Sequence, residues 1–202
     1  MPLRLYDGPH SPNCRKVRLL AAELGLPLER VILDPNSNEC RSAEYLAKNP
    51  NGKVPTIDDD GFALWESSAI LKYLAGKFPD RDLLSRDPRG LAELDQWLFW
   101  WTAHPEPALL SLHGERLVKP SRGERGNSAS ILEAEAALAR QLPIFDRQLA
   151  RGEYVLGKLS VVDFAAAPWL EFAPGLGVTL DPYAAIRRWL ENLHAKPYWK
   201  DA

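Results

Sequence analysis

The chain has 202 residues, of which 46% are hydrophobic and 26% charged, a balance ordinary for one globular domain or two small ones. Its formal net charge of −2 and its lack of a long basic run argue against nucleic acid or an anionic membrane as the main partner. No stretch approaches the roughly 18 apolar residues of a membrane span, and the N-terminus lacks the apolar core of a signal peptide, so we expect a soluble, cytoplasmic protein.

Cysteine and histidine are sparse. The two cysteines, Cys14 and Cys40, form no disulfide framework, which fits a reducing compartment. The four histidines show no metal-ligand spacing, and we therefore expect no metal.

Up to Pro79 the chain alternates between strand-like and helix-like segments. The predicted elements are strand Leu3–Tyr6, a helix with Arg15–Leu24 as its clearest part, strand Glu29–Leu33, helix Ser42–Lys48, strands Val54–Ile57 and Phe62–Trp65, and helix Ser67–Phe78. This β-α-β-α-β-β-α order predicts an α+β domain over residues 1–79.

After this domain the pattern changes to helices alone. Residues 80–87 are polar and lack apolar periodicity, which predicts a linker, and Asp87 followed by Pro88 is a helix start signal. Further helix signals are the stripe Leu94, Trp97, Leu98 and Trp101, a capping box at Ser130 and Glu133, and Asp181 followed by Pro182. We predict an all-α helical bundle over residues 88–202.

The segment Ser11–Cys14 lies where the first strand gives way to the first helix. A helix N-terminus exposes unpaired N–H groups and the positive end of the macrodipole, so a hydroxyl or thiol there can stabilise a neighbouring thiolate. The spacing also matches a C-x-x-C redox motif whose first cysteine is replaced by serine. A structural interpretation fits as well, with Ser11 capping the helix and Cys14 buried as an apolar residue.

Four motifs in order resemble the cytosolic glutathione transferase family, in particular its bacterial, serine-type (theta-, phi- and zeta-like) members, over essentially the whole chain. They are the serine segment Ser11–Val17, the loop Asn49–Pro55, the acid-serine segment Leu64–Ile70 and the capping box Ser160–Asp163. The resemblance implies a thioredoxin-like first domain, a helical second domain, a homodimer, and a role in detoxification. It also implies that the co-substrate is glutathione.

Glutathione is an extended tripeptide with a carboxylate at each end and a thiol in the middle. The resemblance assigns Ser67 to the γ-glutamyl carboxylate, at a helix N-terminus suited to anions, and Glu66 to the α-ammonium group. Lys53 would pair with the other carboxylate. Val54, beside a cis proline in a predicted edge strand, would pair its main chain with the cysteinyl unit. The thiol would then lie near Ser11, the expected catalytic residue.

A second substrate, a small apolar electrophile, is expected between the two domains. Its proposed binding residues are Trp97, Trp101 and His104, with Trp100, Phe164 and Trp169 as further lining. An aromatic stripe at helical spacing is also the pattern of a core. Pro105 and Pro107 are expected to bend or end the helix that carries the tryptophans.

Several alternatives remain open. Tyr6, Asn13, which we also place in the glutathione site, or Cys14 could orient the thiolate in place of Ser11. Cys40 stands where related patterns carry a histidine, and the adjacent Arg41 could take over its contact to the glycyl end. Two other functions also fit: a glutathione-dependent disulfide reductase, and a non-catalytic binding or regulatory protein of the same fold.

Overall fold

The computed structural model describes residues 3–34 and 38–200. The chain divides into two compact units. The first unit contains the residues up to Ser85 together with those from Pro197 onward, and the helical unit is Arg86–Lys196. Among the described residues, no helix combines the length and apolar character needed to cross a bilayer.

The first unit has the predicted order of elements. They are β1 (Leu3–Asp7), α1 (Pro12–Leu24), β2 (Leu28–Ile32), a 3-10 turn (Glu39–Arg41), α2 (Ala43–Lys48), β3 (Thr56–Asp59), β4 (Phe62–Trp65) and α3 (Ser67–Lys77). Helix α1 ends at Gly25, whose φ of 68° is the left-handed conformation that glycine adopts without a side-chain penalty. The β-α-β-α-β-β-α prediction is confirmed.

The four strands form one mixed sheet in the order β2-β1-β3-β4. Strands β1 and β2 are parallel and joined through α1, whereas β3 is antiparallel to both β1 and β4. Strand β3 begins two residues later than predicted, at Thr56, because Pro55 has no N–H for the ladder. The prediction of an edge strand at Val54 is wrong: β3 is paired on both sides, and Val54 precedes it.

The core of the first unit lies where α1 and α3 pack against each other and against the sheet. Its side chains include the fully buried Leu5, Val17, Ile57, Ile70 and Leu74. Tyr6 follows Leu5 in β1, so its side chain points to the opposite face of the sheet. There it joins a smaller cluster with Leu33, Cys40 and Tyr45. Two layers of apolar side chains therefore hold the sheet in place.

Polar contacts from both ends of the chain hold α1 in place. The Asp7 carboxylate at the end of β1 is fully buried and pairs with Arg18 and Arg30, at 2.6 Å from each. Near the other end of the chain, the Trp199 carbonyl accepts from Arg15 Nη2 at 2.8 Å, and the Tyr198 hydroxyl contacts Glu23. The last described residues therefore belong to the first unit.

The helical unit contains α4 (Pro88–Ala103), α5 (Pro105–His113) with a π-helical continuation (Gly114–Val118), α6 (Ser128–Leu149), α7 (Val161–Phe172) and α8 (Ala184–His194). Helix α4 begins as predicted, since the Asp87 carboxylate accepts from the N–H groups of Arg89 and Gly90 at 3.0 Å. The break between α4 and α5 falls at His104, immediately before Pro105.

Two predicted helix starts in this unit are wrong. Helix α6 begins at Ser128 because the Asn127 side chain caps it, accepting from the Ala129 and Ser130 N–H groups at 2.9 and 3.1 Å. Ser130 and Glu133 therefore lie inside the helix and form no capping box. Helix α8 begins at Ala184 rather than after Asp181, whose N–H is bonded to the Thr179 hydroxyl in a turn.

The capping box of α7 is confirmed, with Ser160 and Asp163 satisfying each other's backbone groups. The Asp163 carboxylate is fully buried and also accepts from the Val155 N–H at 3.0 Å and from Trp189 Nε1 at 2.8 Å. Burial raises its pKa to about 6 despite these bonds. This carboxylate links α7 to α8.

Candidate functional site

Ser11 is the N-cap of α1, and its hydroxyl oxygen accepts from the Cys14 N–H at 3.3 Å. The residue is partly exposed. A hydroxyl that accepts one bond still has its own proton to donate, so capping and contact with a ligand sulfur are compatible. The structural and functional interpretations of Ser11 therefore do not exclude each other.

Cys14 is fully buried, and its sulfur accepts from the Gly8 N–H at 3.2 Å. Burial raises the pKa of the thiol to about 12, so the group is protonated at neutral pH. A buried, protonated thiol is a poor nucleophile. These observations support the structural interpretation of Cys14.

The two other candidates for orienting the thiolate lie in different surroundings. Tyr6 is only 8% exposed and packs against Tyr45, with ring centroids 5.3 Å apart. Asn13 is the second residue of α1 and is partly exposed. Among the candidates other than Ser11, Asn13 therefore has the more accessible side chain.

The loop before β3 is held by a polar network. The carbonyl of Lys53 accepts from the Tyr45 hydroxyl at 2.6 Å and from Asn49 Nδ2 at 2.7 Å. The same two side chains contact the Thr56 hydroxyl at 2.9 and 3.0 Å. The orientation of the peptide between Lys53 and Val54 is thereby fixed.

The Val54–Pro55 peptide bond is cis, as predicted. Within the part of the chain that the structure describes, no backbone or side-chain group bonds to the Val54 N–H or carbonyl. These two groups are available to an extended peptide ligand. The Lys53 side chain beside them is exposed.

Arg41 lies beside this loop. Its Nη1 makes a long contact of 3.5 Å to the Asn51 carbonyl. Gly52 has a φ of 58°, and a Cβ there would lie 2.6 Å from the Cys40 carbonyl oxygen, so only glycine fits. Cys40 itself is buried, and burial raises its pKa. Arg41 is thus the residue of this pair that is available to a ligand.

Helix α3 has no side-chain cap at its N-terminus. The preceding residue, Glu66, is exposed and has a φ of 70°, a left-handed conformation that costs a non-glycine residue about 1–3 kcal/mol. The first residue, Ser67, is 9% exposed, and the next, Ser68, has a buried hydroxyl without a partner among the described residues. Glu66 therefore does not cap the helix through its side chain, and the helix end is open to an anion.

The predicted electrophile residues lie in the helical unit. Trp101 is fully buried, with its ring centroid 5.3 Å from that of Phe145. Trp97 is partly exposed and lies 6.2 Å from the same ring, and His104 is exposed at the break after α4. Phe164 and Trp169 are buried. Burial supports a core role for Trp101, whereas Trp97 and His104 retain accessible surface.

Sequence reasoning missed one residue next to Ser67. Lys16 is fully buried in α1, and its Nζ donates to the Ser67 hydroxyl oxygen at 3.4 Å. Only helical periodicity could have found it, because Lys16 lies one residue before Val17 and three before Leu19, which are also fully buried. Among the described residues, no three or more His, Cys, Asp or Glu side chains lie together so that they could hold a metal ion.

Two family models match this chain. The model described as "Glutathione S-transferase, N-terminal domain" matches residues 5–82, and the model described as "Glutathione S-transferase, C-terminal domain" matches residues 99–197. The chain belongs to the glutathione S-transferase family. This enzyme family was the one indicated by the four sequence motifs.

Individual relatives of this glutathione transferase agree along nearly their whole length. Glutathione S-transferase GstB of Escherichia coli is 31% identical, over 96% of this chain and 94% of its own. The crystal structure of glutathione transferase F7 from Populus trichocarpa superposes with a TM-score of 0.90 at 26% identity, covering 98% and 96% of the two chains. A glutathione S-transferase-I solved with lactoylglutathione superposes with a TM-score of 0.89 at 26% identity, covering 100% of this chain and 98% of its own.

Proposed function

We propose that glutathione binds along the first unit, with its γ-glutamyl carboxylate at the N-terminus of α3. The uncapped end of that helix, with the Ser67 hydroxyl and the free N–H groups of its first turn, is the observation that carries the proposal. Glu66 accepts from the α-ammonium group. The relative solved with lactoylglutathione adds support.

The remaining contacts follow the length of the tripeptide. The Val54 N–H and carbonyl pair with the cysteinyl unit, and the exposed Lys53 and Arg41 beside this loop are the cations proposed for the glycyl carboxylate. The thiol then lies near the start of α1, where Ser11 donates to the sulfur and Asn13 is a further contact. The helix dipole adds stabilisation to the thiolate.

The proposed reaction is attack of the glutathione thiolate on a small apolar electrophile, by substitution or addition. Trp97 and His104 remain the proposed electrophile contacts, whereas Trp101 is fully buried and belongs to the core of the helical unit. A panel of an aryl chloride, an α,β-unsaturated carbonyl, an organic peroxide and a glutathione mixed disulfide, each assayed with glutathione, tests the reaction class. Turnover of the mixed disulfide alone would favour the reductase instead.

Binding is tested separately at Ser67. Ser67→Ala removes a hydrogen bond to a charged group, and we expect it to weaken glutathione binding by about 1–3 kcal/mol. Calorimetry on the wild type and the variant measures this loss. An unchanged dissociation constant would remove Ser67 from the site, and binding without any thiolate signal in the wild type would favour the non-catalytic binding protein.

We also propose a cytoplasmic homodimer that acts in detoxification, as the resemblance to the cytosolic family implies. Sedimentation equilibrium measures the oligomeric state, and fractionation of the source cells measures the location. A monomer at micromolar concentration would contradict the first part.

A further inference from the structure

Lys16 is a buried cation at the candidate carboxylate site. Its side chain has no exposed surface, although lysine is almost never fully buried unless it has polar partners. It reaches from α1 across the packed contact with α3, and its Nζ lies 3.4 Å from the Ser67 hydroxyl oxygen. The contact therefore joins the interior of the first unit to the first residue of α3.

The direction of this hydrogen bond determines where the Ser67 proton points. An ammonium group can only donate, so the Ser67 oxygen accepts with one of its lone pairs. The single hydroxyl proton of Ser67 is then directed away from Lys16 and remains available to an acceptor. A hydroxyl that accepts from a cation is also polarised and becomes a stronger donor.

The charge of Lys16 acts in the same direction. The first turn of α3 contains no acidic residue, and its free N–H groups already carry the positive end of the helix dipole. A buried ammonium directly behind this turn increases the positive potential there. In a low-dielectric interior that contribution is screened less than the charge of an exposed lysine would be.

We propose that Lys16 is a positioning residue that orients and polarises the Ser67 hydroxyl for the γ-glutamyl carboxylate of glutathione, an assignment that rests on the function proposed above. Lys16 need not touch the ligand. It selects for a carboxylate at this end of the tripeptide because it directs a donor, together with positive charge, to that point.

The test compares two ligands by calorimetry. One is glutathione, and the other is γ-aminobutyryl-cysteinylglycine, which lacks only the γ-glutamyl α-carboxylate. We expect Lys16→Met to weaken glutathione binding about tenfold while changing the affinity for the analogue by less than about twofold. At saturating glutathione, kcat is expected to change much less than KM.

The double variant separates orientation from general damage. If Lys16 acts through the Ser67 hydroxyl, Lys16→Met causes little further loss when Ser67 is already alanine. Lys77→Met is the matched control, because it removes the same charge from the opposite end of α3, where Lys77 pairs with Asp59. Lys16→Gln is measured in parallel in case the methionine variant does not fold.

Three results would overturn the assignment of Lys16: glutathione affinity within about twofold of the wild type, equal losses for both ligands, or losses that multiply in the double variant. If the wild type itself fails to bind glutathione, the proposed function fails instead, and the two failures are thus distinguishable.

Discussion

The Ser11 hydroxyl illustrates how one side chain can meet a structural and a chemical requirement. It accepts from the Cys14 N–H as the cap of α1 and keeps its own proton. Among the nearby candidates, Cys14 is buried with a pKa raised to about 12, and Tyr6 is buried against Tyr45 with Lys48 Nζ over its ring. This arrangement favours Ser11 over Cys14 and Tyr6 as the partner of the thiolate, and the partly exposed Asn13 stays the other candidate.

Replacing Ser11 tests this assignment. Ser11→Ala should leave glutathione affinity nearly unchanged, raise the pKa of the bound thiol and lower turnover at neutral pH, with partial recovery in alkaline buffer. Lowering a thiol pKa from about 8.5 by about 2 units increases the thiolate roughly 25-fold at neutral pH. Because nucleophilicity falls with pKa, nearly tenfold of this gain is lost, so we expect only a few-fold effect on turnover.

An ultraviolet titration of the bound thiolate measures the midpoint in Ser11→Ala, with Asn13→Ala and Tyr6→Phe as comparisons. A midpoint that moves only in the Asn13 or Tyr6 variant would refute the role of Ser11. A loss of turnover beyond about a hundredfold would mean that Ser11 also stabilises the transition state.

At the same scale, the sequence motifs were enough to propose Ser11, Val54, Glu66 and Ser67 as site residues, because each belongs to a short local pattern. Lys16 was not found, since a lysine in sequence is normally assigned to solvent, and its spacing to the buried Val17 and Leu19 was the one signal against that assignment. The positive φ of Glu66 was likewise not predicted, because no local sequence pattern indicates that conformation for glutamate.

At the scale of elements, α2 supports the loop that presents Val54. Tyr45 belongs to this helix, and Asn49 follows it directly. Both bond to the Lys53 carbonyl, so the helix and the turn fix the peptide that precedes the cis proline. The position of the Val54 N–H and carbonyl therefore depends on Tyr45 and Asn49, which bond to the preceding residue and not to Val54 itself.

Removing one hydroxyl tests this dependence. Tyr45→Phe deletes the bonds to the Lys53 carbonyl and to Thr56. We expect it to cost about 1–2 kcal/mol of stability, to weaken glutathione binding several-fold and to speed hydrogen exchange at the Val54 amide. Calorimetry and exchange measurements check the two effects.

The control is Tyr73→Phe, which removes a hydroxyl that donates to Asp59 at 2.6 Å elsewhere in the first unit. If both variants reduced binding equally, the effect of Tyr45 would be one of general stability. These hydrogen bonds were not predictable from the sequence, because Tyr45, Asn49 and Thr56 follow no local pattern. They meet only once the turn at residues 49–52 has brought them together.

The helix boundaries show the same limit of local patterns. Helix α6 offers two overlapping start signals, Asn127 and Ser130, and the sequence cannot rank two residues that cap equally well. The cap at Asp87 and the capping box at Ser160 were predictable because no competing signal lies nearby. The number and order of the elements in the first unit were therefore more secure than the ends of the helices.

At the scale of the whole molecule, stability should depend on pH through Asp163. Its pKa in the folded protein is raised from 3.8 to about 6 by complete burial. A raised pKa means that the folded state favours the protonated form. The contribution to stability is therefore fully present below about pH 4 and is lost as the pH rises through about 6.

Comparison with Asp163→Asn isolates this carboxyl group, since the amide does not titrate. The free energy of unfolding of the wild type, relative to the variant, should fall by a few kcal/mol between about pH 4 and 6 and stay constant above about pH 7. Urea denaturation followed by tryptophan fluorescence measures it at each pH. A difference that increases with pH would mean that the four hydrogen bonds to Asp163 favour its ionised form more than burial opposes it.

The contact between Arg15 and the Trp199 carbonyl joins residues 184 positions apart. On a ribosome that adds about 5–20 residues per second, Arg15 would wait on the order of 10 s or longer for this partner. Trp199 is 1% exposed in the folded protein, so the first unit lacks this buried side chain until the end of the chain has been synthesised. The packing of the domain that is translated first thus cannot be completed until the whole helical unit has been synthesised.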